Sequence, residues 1–220
     1  MTEIASGEAP GSRRTQEEDA ALWERFKGRI GEDAKATPLH RLKIGGAIPT
    51  GFLRHLTAAL PADELRGEML LQGVWRIGTD RLQIEAGSAP WSAALPSKHY
   101  ADRLHRFDWL YDLMSTGENG ARFGRTMVDD WIQNFGRFDG FSWRVGCTAD
   151  RVWNWLRCGS DLFEIGSDEL KDARLEAVAR QIRHVATLAD TEVEPSARWR
   201  SACVAVAGDI CLFEGRSNEL

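Results

Sequence analysis

The sequence predicts a mainly α-helical protein built from antiparallel helical hairpins, with a small β-hairpin ahead of them. Three observations predict it. Large apolar residues recur at helical spacing from Ser97 to Phe213, and glycines and prolines cut that stretch into segments of similar size. Only between Gly67 and Trp91 does the apolar pattern change to short, strand-like runs.

The organising stretch is Ser97 to Phe135. Its first half places Leu104, Phe107, Leu110, Tyr111 and Met114 on one helical stripe, widened by Trp109 and Leu113, with Ser97 as N-cap. Gly117 and Gly120 interrupt the pattern, which resumes from Ala121 to Phe135 through Phe123, Met127, Val128, Trp131 and Phe135. Two such helices joined by so short a turn lie antiparallel, because neither buries its stripe alone.

Residues 1–18 have almost nothing to bury and read as a disordered tail. Residues 19–66 read as a weakly helical segment: a short amphipathic helix through Ala21, Leu22, Phe26 and Ile30, then a second after Pro49 through Phe52, Leu53, Leu56 and Leu60. The main body spans 67–213. In it, Met69 to Leu71, Val74 to Ile77 and Leu82 to Ile84 read as a hairpin within 67–91, turning at Gly78-Thr79-Asp80. The helices of 97–213 then follow. After an aromatic and basic loop, Thr148 is the expected cap of a helix with Val152, Trp155 and Leu156 on one stripe and Trp153 pointing elsewhere. A long helix runs from Ser167 to about Asp190, and a last one from Ala197 to about Phe213 has the Ala, Val and Cys content of a helix buried on most sides. Residues 214–220 read as a polar tail. Five helices in the second half fit a bundle, a solenoid or an arc of an α/α toroid.

A formal charge of -5 argues against binding polyanions through the overall field, and no basic cluster resembles a nucleic-acid module. The sequence has no run of about 18 apolar residues and no secretory signal pattern, so the expectation is no membrane partner and a cytoplasmic location. Cys147, Cys158, Cys203 and Cys211 lack metal-ligand spacing and read as reduced, mostly buried thiols. No phosphate-loop, dinucleotide, hydrolase-elbow or zincin motif occurs. No cofactor and no metal site are expected.

Two constellations could carry chemistry. His105, Asp108 and Asp112 share one face of a continuous helix, as half a metal site or an acid/base pair; with no third ligand near, they read as a solvated polar face. Asp129-Asp130 point apart and read as surface charge. The loop from Arg137 to Arg144 sets Phe138, Phe141 and Trp143 among arginines, which suits the faces and carboxylates of sugars, although a loop pinned by buried aromatics is the stronger reading. Arg151 and Asn154 can face the same place.

Ordered blocks then carry a resemblance. His105-Arg106-Phe107-Asp108-Trp109-Leu110-Tyr111-Asp112-Leu113, Asp130-Trp131-Ile132-Gln133-Asn134-Phe135-Gly136-Arg137 and Thr148-Ala149-Asp150-Arg151-Val152-Trp153-Asn154-Trp155-Leu156 resemble the helical region of bacterial heparinase II/III-like proteins. Arg180 to Val185 and Gly73 to Gly78 are similar too, so the resemblance covers about residues 65 to 212. It implies an incomplete α/α toroid that in relatives precedes a β-sandwich, and β-elimination on uronate-containing polysaccharides such as glycosaminoglycans. The chain then reads as a truncated N-terminal part of a polysaccharide lyase, inactive alone, with its catalytic residues unassigned: Tyr100, Tyr111 and His105 match no catalytic position, and Cys158 stands where His is expected. Trp143, Arg144, Arg151 and Arg137 are the residues expected to bind an acidic polysaccharide. A missing β-sandwich half is the implied partner, and a periplasmic location follows if the N-terminus is incomplete. The alternative is a non-catalytic helical scaffold that binds a protein partner or self-associates through an exposed apolar edge.

Overall fold

The computed structural model describes residues 40, 43–56, 61–138 and 140–213. The expected tails 1–18 and 214–220 and the helix from Asp19 to Ile30 lie outside these residues. What is described is mainly helical with one small two-stranded antiparallel sheet.

Helix α1 (Glu64–Leu71) opens the main body, capped by Asp63, whose side chain accepts from the Arg66 N–H at 3.0 Å. It takes up Met69 to Leu71, expected in the hairpin: a good cap followed by Glu, Leu, Arg and Met favours helix locally. Strands β1 (Val74–Ile77) and β2 (Asp80–Gln83) pair with Ile77 opposite Asp80, so Gly78 and Thr79 form a two-residue turn. Gly78 meets the need for a left-handed residue there with φ 62°. The hairpin leans on the helices through Trp75, which is fully buried with its ring edge on Trp109 at 4.8 Å.

Ser97 caps α2 (Lys98–His105) by accepting from the Tyr100 N–H, and its own hydroxyl donates to Asp80 at 2.8 Å. The helix expected to run on through Met114 breaks instead. Phe107 takes a left-handed conformation with φ 59°, and a separate short helix α3 (Leu110–Met114) follows. At the break the Leu104 carbonyl accepts from the Phe107 N–H at 3.3 Å and also from the indole N–H of Trp109 at 3.1 Å.

Helix α4 (Glu118–Phe135) starts right after Gly117, and Gly120, expected as part of the interruption, lies inside it. Helix α5 (Val145–Cys158) starts three residues before Thr148, whose N–H already bonds to the Arg144 carbonyl. Thr148 is therefore no cap; its hydroxyl accepts from Arg151. A single turn, α6 (Ser160–Phe163), leads to α7 (Asp168–Leu188) and α8 (Pro195–Leu212). Helix α5 sits in the middle against α3, α7 and α8, while α7 also touches α4.

Helix α1 comes so near α3 that a Cβ on Gly67 would sit 2.3 Å from the Asp112 carbonyl oxygen. Residues 51–56, expected as helix, form none and instead strap the body. The Leu53 N–H donates to the Cys211 carbonyl at 2.7 Å, and Phe52 stacks on Phe163 at 5.4 Å. Tertiary partners for the backbone and for Phe52 outweigh a weak local preference.

Asp129, expected as surface charge, holds Arg174 in a bidentate pair at 2.6 and 2.7 Å. The same guanidinium donates to the carbonyls of Leu162 and Ile165, so one buried side chain ties α4, α6 and α7 together. Removing it leaves a carboxylate and two carbonyls short of a donor. Arg174→Ala should lower unfolding free energy by about 3–5 kcal/mol. A urea titration beside wild type checks this, and a loss under about 1 kcal/mol contradicts the pinning role.

Candidate functional site

The aromatic and basic loop was the sequence's main candidate, and a cleft of about 540 Å³ does open beside it. Trp143 and Arg144 line it with Arg106, Phe138, His184 and Arg200. Arg137 is exposed at the end of α4 and is not among the lining residues. Arg151 is fully buried beneath. The four expected binding residues therefore do not form one surface.

Three of the four, and Asn154 beside them, have a structural explanation. Arg151 projects inward from α5 and donates to the carbonyls of His105 (3.1 Å) and Ser142 (2.8 Å), to the Thr148 hydroxyl and to Gln181. Its guanidinium also lies 4.1 Å from the Trp131 ring centre. Trp143 is buried, donating its indole N–H to the Phe135 carbonyl at 2.8 Å. Arg144 lies over Phe141 at 4.8 Å and pairs with Asp102. Asn154 turns to the Arg106 carbonyl at 2.9 Å.

The cleft's charges are largely spoken for. Arg106 bonds Asp102 at 2.7 Å and also Asp150, while Arg200 approaches Asp150 at 3.5 Å. Three guanidiniums thus share two carboxylates, with Glu192 at the rim. Burial pushes the Cys147 thiol up, away from the thiolate a nucleophile needs.

His184 faces the same cleft but is fixed from both ends. A carbonyl only accepts, so Nε2–H donates to the Trp143 oxygen at 2.7 Å, and Nδ1 then accepts from His40 Nε2–H at 3.0 Å. Burial first, then the His40 and Arg151 charges, lower its pKa to about 4, although the bond to Trp143 opposes this.

The other polar constellation is dismantled by the break at Phe107. His105 is buried, its Nδ1 accepting from the Trp131 indole at 2.9 Å, while Asp108 and Asp112 turn to Arg66 at 3.1 and 3.0 Å. The imidazole thus serves Trp131 while the two carboxylates share Arg66. Tyr100, also buried, donates to the Trp75 carbonyl at 3.1 Å.

A second concavity lies on the outer side of α8. Trp199, Ala202, Cys203, Val206, Ala207 and Ile210, with Leu56 from the strap, line an apolar groove of about 440 Å³. Trp199 is 73% exposed, Val206 59% and Ile210 43%. The expectation that α8 is buried on most sides is corrected: its inner face, including Ala197, Ser201, Val204, Gly208 and Leu212, is covered, and its outer face is not. The sequence carried this signal as two apolar stripes on one helix. Arg106, His184 and Arg200 gave no comparable sign.

These features define a helical protein whose most prominent polar constellations hold the fold together and whose uncovered surface includes an apolar helix face. The chain is similar to FtsZ-localized protein C of Caulobacter vibrioides (strain NA1000 / CB15N), 30% identical over 203 residues, which are 90% of this chain and 34% of that protein. The chain thus spans about a third of the length of the curated relative it matches. No protein-family profile matches the chain, and no solved structure matches it. The reading as part of a heparinase II/III-like polysaccharide lyase is corrected accordingly: nearly all of the chain aligns with a protein named for its location with FtsZ, and no lyase profile supports the sugar-cleaving reading. Among the described residues no helix is long and apolar enough to cross a membrane.

His184 yields a pH dependence. Its folded pKa lies below its unfolded value of 6.5, so on acidification the unfolded chain takes up a proton that the folded one refuses. Its contribution is complete above about pH 6.5 and is lost as pH falls toward 4, amounting to about 2–3 kcal/mol by pH 4.5. Denaturant unfolding at several pH values should show a shallower loss for His184→Gln, which keeps a donor for the Trp143 carbonyl. Identical slopes would remove His184 as the cause.

Proposed function

We propose that this chain is a non-catalytic helical module of a cytoplasmic protein that localises with FtsZ and acts by binding rather than by chemistry. The observation that carries it is the alignment of 90% of the chain with FtsZ-localized protein C. The interior supports the same reading. His105, Asp108, Asp112, Arg151 and His184 are held by bonds to the fold itself, and burial raises the pKa of the Cys147 thiol. The uncovered apolar face of α8 supplies a surface of the kind a scaffold uses. The incomplete α/α toroid stays part of this proposal: among the described residues α8 packs on α5 and α7 with one face and leaves the other uncovered, as a helix at the edge of an open arc does.

The chain fused to a fluorescent protein should coincide with labelled FtsZ in cells, and the purified chain should sediment with FtsZ polymers but not without them. A diffuse signal together with a chain that stays in the supernatant overturns the reading.

A further inference from the structure

Helix α8 carries two apolar stripes, and the fold uses one. Trp199, Ala202, Cys203, Val206 and Ile210 advance by three, one, three and four residues, a continuous seam on its solvent side. We propose that this seam is a self-association surface, on which a second copy of the chain lays its own α8 in the opposite direction.

Self-complementarity points to a second copy. Trp199 and Ile210 stand eleven residues apart, about three helical turns, so they fall on nearly the same side of the helix about 16 Å from one another. Turning a second α8 end over end sets Trp199 of each copy against Ile210 of the other. Near the middle Val206 of each copy then faces Cys203 of the other, with the small residues Ala202 and Ala207 on the two edges of the seam. Large side chains sit at the ends and small ones at the centre, and the same patch serves both partners.

The flanking charges agree with this direction. Arg198 and Asp209 are also eleven residues apart and hence lie along one edge of the seam. In an antiparallel pair related by a two-fold axis, like edges face each other, so Arg198 of each copy comes beside Asp209 of the other. A parallel pair would set this edge of one copy on the far side of the seam from the same edge of the other, and the two charges would form no such pair. Arg198 is exposed, and its Nε and Nη2 donate to the Glu192 carbonyl, leaving Nη1 for a further acceptor.

Cys203 lies near the middle of the seam and is the exposed member of four free cysteines, the other three being buried. In the antiparallel pair the two Cys203 thiols approach across the two-fold. An oxidant of the disulfide-exchange type joins them with loss of two protons and two electrons to the added disulfide, which is reduced to thiols.

The proposal rests on the binding-module reading for its purpose, but it is measured without FtsZ, so either can fail alone. Sedimentation of the 220-residue chain over about 1 to 200 μM should show a monomer–dimer equilibrium with a micromolar constant, as a small apolar interface gives. Val206→Glu, checked for fold by circular dichroism, should weaken it at least about tenfold. Arg198→Glu should weaken it too, and adding Asp209→Arg to that variant should restore it. Oxidation of the wild-type chain should trap a dimer that Cys203→Ser does not form. A chain that stays monomeric throughout, including one whose seam proves to be covered by a different protein, overturns the proposal. So does a dimer indifferent to both Val206→Glu and the charge exchange.

Discussion

The structure depends on one strained residue. Phe107 holds a left-handed backbone, which costs a side chain with a Cβ about 1–3 kcal/mol. What outweighs that cost is the packing of its ring: stacked on Trp109 at 4.9 Å, near Trp91 at 5.6 Å, and edge-on to Trp155 at 5.4 Å and Trp131 at 6.0 Å. Taking a buried Phe out of such a cluster costs about 3–5 kcal/mol, so packing wins. The turn also frees backbone oxygens at the end of α2. Those of His105 and Arg106 receive Arg151 and Asn154, which tie α5 to the break. A straight helix from Lys98 to Met114 would carry those carbonyls in its own ladder and could not hold α5 in this way.

That same turn marks where the sequence stopped being legible. The stripe Leu104, Phe107, Leu110, Tyr111 and Met114 has helical spacing, and nothing local to it announces a break, because the cause is aromatic packing from residues such as Trp91, Trp131 and Trp155, far away in the chain. Local signals worked where the physics is local. Ser97 caps α2, Gly78 turns the hairpin, and Val152, Trp155 and Leu156 face inward while Trp153 faces out. They failed where tertiary partners decide, as for the strap of residues 51–56 and the start of α5. Of the candidate site, the aromatic character of the loop was readable, and so was the reading of that loop as pinned. Burial of Arg151 was not: an arginine on an amphipathic helix reads as surface until the carbonyls that will hold it are known.

The buried arginines show how this fold keeps polar side chains inside. Bringing a guanidinium out of water is costly unless its donors are met, and here they are met by the chain itself. Arg151 gathers α5, the end of α2 and the loop before α5; Arg174 gathers α4, α6 and α7; Arg125 joins Glu118 to the Asp161 carbonyl. Directional bonds of this kind fix which helix lies against which, a task that apolar surface alone leaves loosely specified. The same groups, fully engaged, are poor acids, bases or ligands. Positions that resemble a catalytic set in one dimension are joints in three.

Helix α8 shows the opposite economy. Its inner face is fitted closely enough that a Cβ on Gly208 would come within 2.6 Å of Ile182, so contact with α7 is set by small residues and short distances. Its outer face carries Trp199, Val206 and Ile210, which stay exposed beside Leu56 of the strap. Polar residues there would leave the inner contacts untouched and remove an apolar patch from water, which costs about 25 cal/mol for each Å² left exposed. The isolated fold therefore gains nothing from the bulk on that side. Among the described residues α8 carries one apolar face packed on its own chain and a second apolar face left uncovered, the surface on which the proposed contact rests.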